Sequence, residues 1–314
     1  MTPTRREFLG WTAAAGAAAT AASTSAATAA APATPIIDTH VHLWDLARLR
    51  LPWLEGAPEL PRAASWADYQ KAADGLNVVK AVYMEVDVDP AQHEVEARLV
   101  LEQCRKGDSA LRAAVIGGRP ASDGFAAYIK PLASDPAVKG VRQVLHGPTT
   151  PSGYCLQPSF VAGVRLLGEL GLCFDLCMRH AELGDGLKLV EQAGGTRFVL
   201  DHCGNPPVFG GLDAWKRDVD RLASRPNVVG KVSGIVASTK GRSWKADDLA
   251  PVVNHMIEAF GPDRVMFGGD WPVCTLGAPL RDWAKALSDV VHDRPAGDQR
   301  KLFHDNAERF YGLA

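Results

Sequence analysis

Short β-branched runs alternate with longer amphipathic stretches eight times after residue 34, and this alternation limits the fold more than any other feature of the sequence. Strand, helix and strand in succession predict parallel pairing through right-handed crossovers. Eight such strands are the number that a closed barrel needs. We therefore predict an α/β fold, a single-domain (β/α)8 TIM barrel over residues 34–314, with an open doubly wound sheet as the alternative. The predicted strands span residues 35–42, 78–86, 111–118, 138–146, 173–180, 197–203, 228–235 and 265–270.

Four of the stretches between these strands have clear helix boundaries. Apolar residues recur at helical spacing in each stretch, and a glycine or a proline marks at least one end of most of them. The predicted helices span residues 90–107, 158–171, 212–223 and 247–260.

Residues 1–33 have the features of an export signal and are predicted to lie outside the folded domain. Arg5 and Arg6 form a twin-arginine pair before an alanine-rich run, and a cleavage-like A-x-A step occurs at residues 27–29. We therefore predict a Tat signal peptide, passage through the Tat export machinery, and a periplasmic or secreted location. A disordered alanine-rich tail is the alternative. The run has almost no Leu, Ile or Val, so stable insertion into the membrane is not expected.

The charge balance and the cysteines restrict the partners and the covalent framework. The chain has 34 basic and 36 acidic residues, so nothing indicates attraction to nucleic acid or to an anionic membrane, and a small, weakly charged substrate is expected. The six cysteines are scattered and are predicted to be mostly buried free thiols. Cys173 and Cys177 lie in one predicted strand, too far apart along it to form a disulfide.

Two histidines end the first predicted strand and an aspartate ends the last. His40 and His42 are two residues apart, so in a strand they point the same way and offer two nitrogens to one metal ion or substrate. Asp270 can accept a proton from water and can also bind a metal. In a closed barrel the first and last strands are neighbours, so these groups should meet at the catalytic mouth. The alternatives are a structurally buried histidine pair and an aspartate that caps a turn.

Two further histidines follow apolar runs in the same way. His202 ends the predicted strand at residues 197–203, and His180 ends the one at residues 173–180. Each is a candidate for the same mouth, and a hydrogen-bonded structural histidine is the equal alternative. Asp201, directly before His202, is expected to point outward and to hold a loop or a helix end.

Charged and aromatic residues near other strand ends complete the candidates. Arg142 is a charge within an apolar strand; if it faces the interior of the barrel it must be paired, either with a substrate carbonyl or carboxylate or in a buried salt bridge with a neighbouring strand. Glu85 has the same two interpretations. Four tryptophans could stack on a sugar-like ring, although packing within loops is the default for such residues. They are Trp44, Trp53, Trp244 and Trp271.

Several motifs, in order along nearly the whole chain after residue 34, resemble one branch of a known superfamily. This is the amidohydrolase-related branch that contains sugar lactonases and the pyrone-dicarboxylate lactonase. The motifs are DTHVHLWD at 38–45, LPWL at 51–54, GVR at 140–142, VLDHCGNP at 199–206, KVSG at 231–234, FGGDWPV at 267–273 and NAERFY at 306–311.

The resemblance implies a distorted TIM barrel in which Asp270 activates a water to open a lactone or a related ester or amide. It implies that His40, His42 and His202 bind a divalent cation such as zinc or hydrogen-bond the substrate carbonyl directly, since the branch has both metal-using and metal-free members. Lys139 lies at the start of its strand, so a carboxylated lysine that bridges two metals is not expected. Related sequences often have another residue where this chain has His180.

The leading hypothesis is an exported hydrolase that opens a small, sugar-type lactone. Asp270 would be the general base, with Arg142 and the histidines polarising the carbonyl and stabilising the oxyanion. One alternative is a non-oxidative decarboxylase, because the wider superfamily includes such enzymes on similar sites. The other is a periplasmic sugar-binding barrel without catalysis, which would have little need for a carboxylate that activates water.

Overall fold

A computed structural model describes residues 34–107 and 109–313 of the chain. The predicted Tat signal peptide, residues 1–33, lies outside the described residues, so export and a periplasmic location stay predictions. Within the described part, no helix is long and apolar enough to cross a membrane.

Eight parallel strands form one sheet in which each strand pairs with the next along the chain. The (β/α)8 architecture predicted from the alternation is confirmed, and the open doubly wound sheet, which needs a different strand order, is excluded. Each predicted strand extends one to three residues beyond the observed carboxyl end, because the residues that follow the strands turn into the mouth of the barrel. The strands are β1 (Ile36–Val41), β2 (Val78–Met84), β3 (Leu111–Gly117), β4 (Val138–Val144), β5 (Cys173–Cys177), β6 (Arg197–Leu200), β7 (Val228–Val232) and β8 (Val265–Phe267).

The barrel closes between β8 and β1 largely through the loop after β8. The backbone N–H of His42 donates to Trp271 O at 2.8 Å, and the N–H of Asp270 donates to His40 O at 2.7 Å. The buried carboxylate of Asp38 joins the same two segments, because it accepts from the N–H groups of His40 at 3.0 Å and Gly269 at 2.7 Å. These bonds hold the histidine pair beside Asp270.

Ten α-helices occur in the described residues, and the first eight follow the eight strands in turn. The helices predicted at 212–223 and 247–260 are observed with bounds shifted by one residue, which reflects the strong amphipathic pattern of both. The helices are α1 (Trp66–Ala72), α2 (His93–Arg105), α3 (Phe125–Leu132), α4 (Pro158–Glu169), α5 (Leu183–Gln192), α6 (Asp213–Ala223), α7 (Ala246–Phe260), α8 (Leu280–Val291), α9 (Ala296–Arg300) and α10 (Asn306–Tyr311).

The C-terminal segment covers the amino ends of the strands and leaves the carboxyl ends as the open mouth. Asn306 donates to Val265 O at the start of β8, Arg197 at the start of β6 donates to Phe310 O, and Lys80 in β2 donates to Leu313 O. Ala307, Tyr311 and Leu313 pack against the apolar side chains inside the barrel. All six cysteines lie in the described residues and are free thiols, as predicted.

Candidate active site

A cavity of about 870 Å³ opens at the carboxyl ends of the barrel strands, the face on which TIM-barrel enzymes carry out their reactions. Five of the residues singled out in the sequence contribute to its wall: His42, Trp53, Arg142, His202 and Asp270. The wall also has neutral polar groups that the sequence did not single out, among them Gln143 and Asn205.

Asp270 and the histidine pair meet at the base of this cavity, as predicted. One carboxylate oxygen of Asp270 lies 3.3 Å from Nε2 of His42 and 3.7 Å from Nε2 of His40. Asp270 follows β8 in a left-handed conformation with φ of 56°. This turn directs the carboxylate back over the barrel mouth.

His42 and His202 each have a partner for the ring nitrogen Nδ1. Nδ1 of His42 lies 3.0 Å from Met84 O; a carbonyl only accepts, so Nδ1 donates, and in the neutral ring Nε2 is left with a lone pair. Nδ1 of His202 lies 3.0 Å from the hydroxyl of Ser233. Gly234 lets His202 take this place, since a Cβ there would lie 2.2 Å from its Nδ1. Burial lowers the pKa of His40 and of His202, which favours the neutral form of both rings.

This donor set fits a divalent cation. Nε2 of His42 and a carboxylate oxygen of Asp270, both acceptors, face each other at 3.3 Å, an arrangement that a positive charge between them would relieve. His40, His202 and Asp270 present one ligand atom each within 4.8 Å of one another. In metal sites the second nitrogen of each histidine is commonly held by a carbonyl, hydroxyl or carboxylate, and here Met84 and Ser233 supply two of these partners.

Arg142 forms the buried salt bridge that was one of its two interpretations, and it also lies at the cavity wall, so the substrate contact stays a prediction. Its Nε donates to a Glu85 carboxylate oxygen at 2.6 Å and its Nη2 to the Glu85 carbonyl at 2.7 Å, which makes a buried salt bridge. Its Nη1 lies 3.3 Å from Nε2 of His40, at the cavity wall. Burial alone would raise the pKa of Glu85, but Arg142 and Arg119 outweigh it and hold that pKa below its usual value.

Asp201 lies inside the barrel, and the expectation that it points outward is wrong. Val199 faces the barrel interior, so alternation along β6 turns Asp201 inward as well. His202 reaches the mouth for a different reason: it has a left-handed backbone with φ of 51°, which ends the alternation. Asp201 lies 2.9 Å from Nζ of Lys231 and 3.5 Å from Nη1 of Arg142.

The Lys231 ammonium lies within the barrel and was missed as a functional candidate. It contacts Asp175 at 2.8 Å as well as Asp201, and all three side chains are fully buried. Burial alone would raise the pKa of Asp201, but Lys231 and His40 outweigh it and hold that pKa well below its usual value. A lysine in the apolar run VVGKV was a readable signal, because a charge inside a barrel strand must be paired.

Several predicted substrate contacts lie elsewhere. His180 is exposed at the start of a 3-10 turn, and Glu85 is buried behind Arg142; neither contributes to the cavity wall. Trp44 is buried and donates from its indole to Pro61 O, while Trp271 packs edge-on against Tyr69 with ring centres 5.7 Å apart. Trp244 donates to Gly277 O. Of the four tryptophans only Trp53 reaches the cavity. The other three pack within loops, which is the usual role of such residues.

Behind the site lies a second buried carboxyl group, Glu96 of α2. It accepts from the Tyr83 hydroxyl at 2.9 Å and from the N–H of Val86 at 2.8 Å. Burial, reinforced by the charge of Glu85, raises the pKa of Glu96 to about 8. Gly117 leaves the space for this pair of carboxyl groups, since a Cβ there would lie 3.0 Å from Glu96 and 3.4 Å from Glu85.

Glu96→Gln should flatten the pH dependence of stability. The folded parent keeps the Glu96 proton up to about pH 8, whereas the unfolded chain loses it near the ordinary value of 4.5, so the parent loses stability as the pH rises between them. The amide has no such proton. Relative to the parent, the variant should gain on the order of 2 kcal/mol in unfolding free energy from pH 5 to pH 8. Urea unfolding of both proteins at pH 5 and pH 8 measures this difference. The prediction is contradicted if the unfolding free energy of the variant and of the parent changes by the same amount between the two pH values.

The comparisons with known proteins agree with the geometry. An L-fucono-1,5-lactonase of Burkholderia multivorans is 28% identical over 88% of this chain and 96% of its own length. A 2-pyrone-4,6-dicarboxylate hydrolase of Comamonas testosteroni is 25% identical over 88% of this chain and 89% of its own. The structure of an amidohydrolase from Burkholderia multivorans with bound zinc superposes with a TM-score of 0.79 at 25% identity, covering 89% of this chain and all of the other.

The amidohydrolase family model matches residues 37–313, which include all the strands and helices described above except the first residue of β1, as well as the histidine pair and Asp270. The resemblance in the motifs thus extends over the folded chain. The protein belongs to the amidohydrolase family.

Proposed function

We propose that this protein is a hydrolase that opens a small, neutral, sugar-type lactone, with Asp270 as the general base. The observation that carries the proposal is the position of Asp270: its carboxylate lies at the wall of a large cavity at the barrel mouth, within 4 Å of two imidazoles. A carboxylate so placed can take a proton from a water that attacks a bound carbonyl carbon.

The reaction uses groups already in place around Asp270. The water loses a proton to Asp270 as its oxygen bonds to the lactone carbonyl carbon. Arg142, whose Nη1 is at the cavity wall, donates to the carbonyl oxygen and stabilises the negative charge that develops there. The bond to the ring oxygen then breaks, the ring oxygen takes the proton from Asp270, and the product is an open-chain hydroxy acid.

A divalent cation, with zinc as the first candidate, would be held by His40, His42, His202 and Asp270. When bound it would supply positive charge that polarises the carbonyl and lowers the pKa of water. The donor set described above and the zinc in the related amidohydrolase structure support this part of the proposal.

The charges of the cavity favour an uncharged substrate. Arg142 is paired with Glu85, and Arg119 with Asp87 at 3.0 Å, so both arginines of the cavity wall already have carboxylate partners. A dicarboxylate would have to displace these partners and leave them unpaired. The neutral amides of Gln143 and Asn205 suit hydroxyl groups instead.

The proposal is tested with three kinds of compound and two products. We expect proton release from neutral aldonolactones such as L-fucono-1,5-lactone, weaker turnover of the dianionic 2-pyrone-4,6-dicarboxylate, and no carbon dioxide from aromatic acids. Activity should fall after chelation and return with added zinc. Carbon dioxide release without lactone opening would show that the protein is a decarboxylase instead. A ligand-dependent rise in melting temperature without any product would show that it is a sugar-binding protein without catalysis.

A further inference from the structure

We propose that Lys231 and Asp201 form a positioning pair that holds His40 in the tautomer with the proton on Nδ1 and the Nε2 lone pair directed at Asp270. The catalytic part of this inference rests on the proposed function. The tautomer itself does not, because it can be observed without any substrate.

The surroundings of Nε2 show where the ring proton of His40 lies. Nη1 of Arg142 is 3.3 Å from Nε2 of His40, and a guanidinium can only donate. Nε2 must therefore carry a lone pair, and in the neutral ring the proton is on Nδ1. The other group beside Nε2 is the Asp270 carboxylate, 3.7 Å away, which is also an acceptor. A bound cation could accept electron pairs from both Nε2 and this carboxylate.

Asp201 is the acceptor for that proton. His40 is fully buried, and its Nδ1 has no hydrogen bond within the usual distance limit in the described residues. A carboxylate oxygen of Asp201 is 3.6 Å away, slightly too long for a hydrogen bond. Such contacts are often long before a substrate or metal is bound and shorten in the loaded site.

Lys231 keeps Asp201 available as an acceptor. The same oxygen of Asp201 that faces His40 lies 2.9 Å from the Lys231 ammonium, and the other lies 3.5 Å from Arg142. With its two oxygens facing the N–H donors of Lys231 and Arg142, the Asp201 carboxylate is placed as the acceptor for Nδ1. The opposite tautomer would point an N–H at Asp270, which would occupy the general base and remove one ligand from the cation.

Asp175 provides a matched control on the other side of the same lysine. It is as buried as Asp201 and equally close to Lys231, at 2.8 Å. Its other hydrogen bond is to the thiol of Cys173, and it makes no contact with His40 or Arg142 at hydrogen-bond or ion-pair distance. Both carboxylates therefore share the role of balancing Lys231, but only Asp201 faces His40.

The experiment compares Asp201→Asn with Asp175→Asn. In Asp201→Asn the amide oxygen should stay with the Lys231 ammonium, but without the negative charge it is a weaker acceptor for the Nδ1 proton of His40, so the ring should switch in part to the tautomer with the proton on Nε2. NMR of metal-free protein labelled with ¹⁵N-histidine, with the His40 signals assigned from His40→Gln, reads the tautomer directly. We expect the switch in Asp201→Asn together with a loss of about 10–100-fold in zinc affinity. In Asp175→Asn we expect neither.

The outcomes are separable from those of the lactone assays. An unchanged tautomer and zinc affinity in folded Asp201→Asn, or the same switch in both variants, would overturn the positioning role. If Asp201→Asn does not fold, the metal-free parent gives the second reading: its His40 should carry the ring proton on Nδ1, and a proton on Nε2 would overturn the inference. Failure to open any lactone would refute the proposed function and leave these readouts unaffected.

Discussion

Replacing Asp270 by asparagine is expected to lower kcat for lactone hydrolysis by about 10³-fold, the size of a lost general base, while the protein stays folded. The amide cannot take a proton from water at the position that the carboxylate occupies. The backbone should tolerate the change, because asparagine is one of the few residues that favour the left-handed conformation observed at 270. The N–H bond from residue 270 to His40 O does not involve the side chain and is retained.

The measurement is kcat by proton release with saturating lactone and zinc, together with the melting temperature. Asp87→Asn is a matched control, because Asp87 also lies at the cavity wall with a left-handed φ of 48°, but its carboxylate faces Arg119. Its effect on kcat should be far smaller. A folded Asp270→Asn protein that keeps most of its turnover would reject Asp270 as the general base.

Arg142→Met is expected to reduce the unfolding free energy by about 3–5 kcal/mol at pH 7, as is usual when one partner of a buried pair is removed. Glu85 is fully buried, and the guanidinium supplies two of its short hydrogen bonds. Without Arg142 burial should raise the pKa of Glu85, so that the folded state binds a proton that the unfolded chain has released. The stability of the variant should therefore increase as the pH falls from 7 towards the ordinary glutamate value near 4.5.

Chemical unfolding of the parent and the variant between pH 5 and pH 8 measures this loss. Glu85→Gln/Arg142→Met is the control, because it removes both charges and should recover much of the stability at pH 7. A loss below about 1 kcal/mol for Arg142→Met would show that Glu85 is solvated or otherwise paired when the arginine is absent.

Much of the architecture could be predicted because it depends on local patterns. All eight strands were located, and only their carboxyl ends were placed too late. The meeting of His40 and His42 with Asp270 also followed from the sequence, since it needs only the closure of the barrel and the ends of the first and last strands.

The detailed wall of the cavity could not be predicted in the same way. Three residues lie near strand ends in the sequence, as the residues of the cavity wall do, yet they do not reach the cavity. The loops place Trp44 and Trp271 in packing contacts and leave His180 exposed to solvent. The direction of a loop depends on what it packs against, and that information is spread over the whole chain.

Asp201 shows most clearly where local reasoning failed. Strict alternation allows only one of Asp201 and His202 to face inward, and the choice of His202 put Asp201 outside. The left-handed turn at His202 brings both to the interior, where Asp201 meets Lys231 and Arg142 from other strands.

The sequence by itself determined the barrel, its order of strands and the group of imidazoles and one carboxylate at its mouth, because hydrophobic periodicity and strand ends are local properties. Only the tertiary structure decided which charges pair inside the barrel, which ring nitrogen of His40 and of His42 has a free lone pair, and which aromatic residue reaches the cavity. These depend on distances of a few ångströms between side chains from different strands, and electrostatic and hydrogen-bond energies change steeply over such distances.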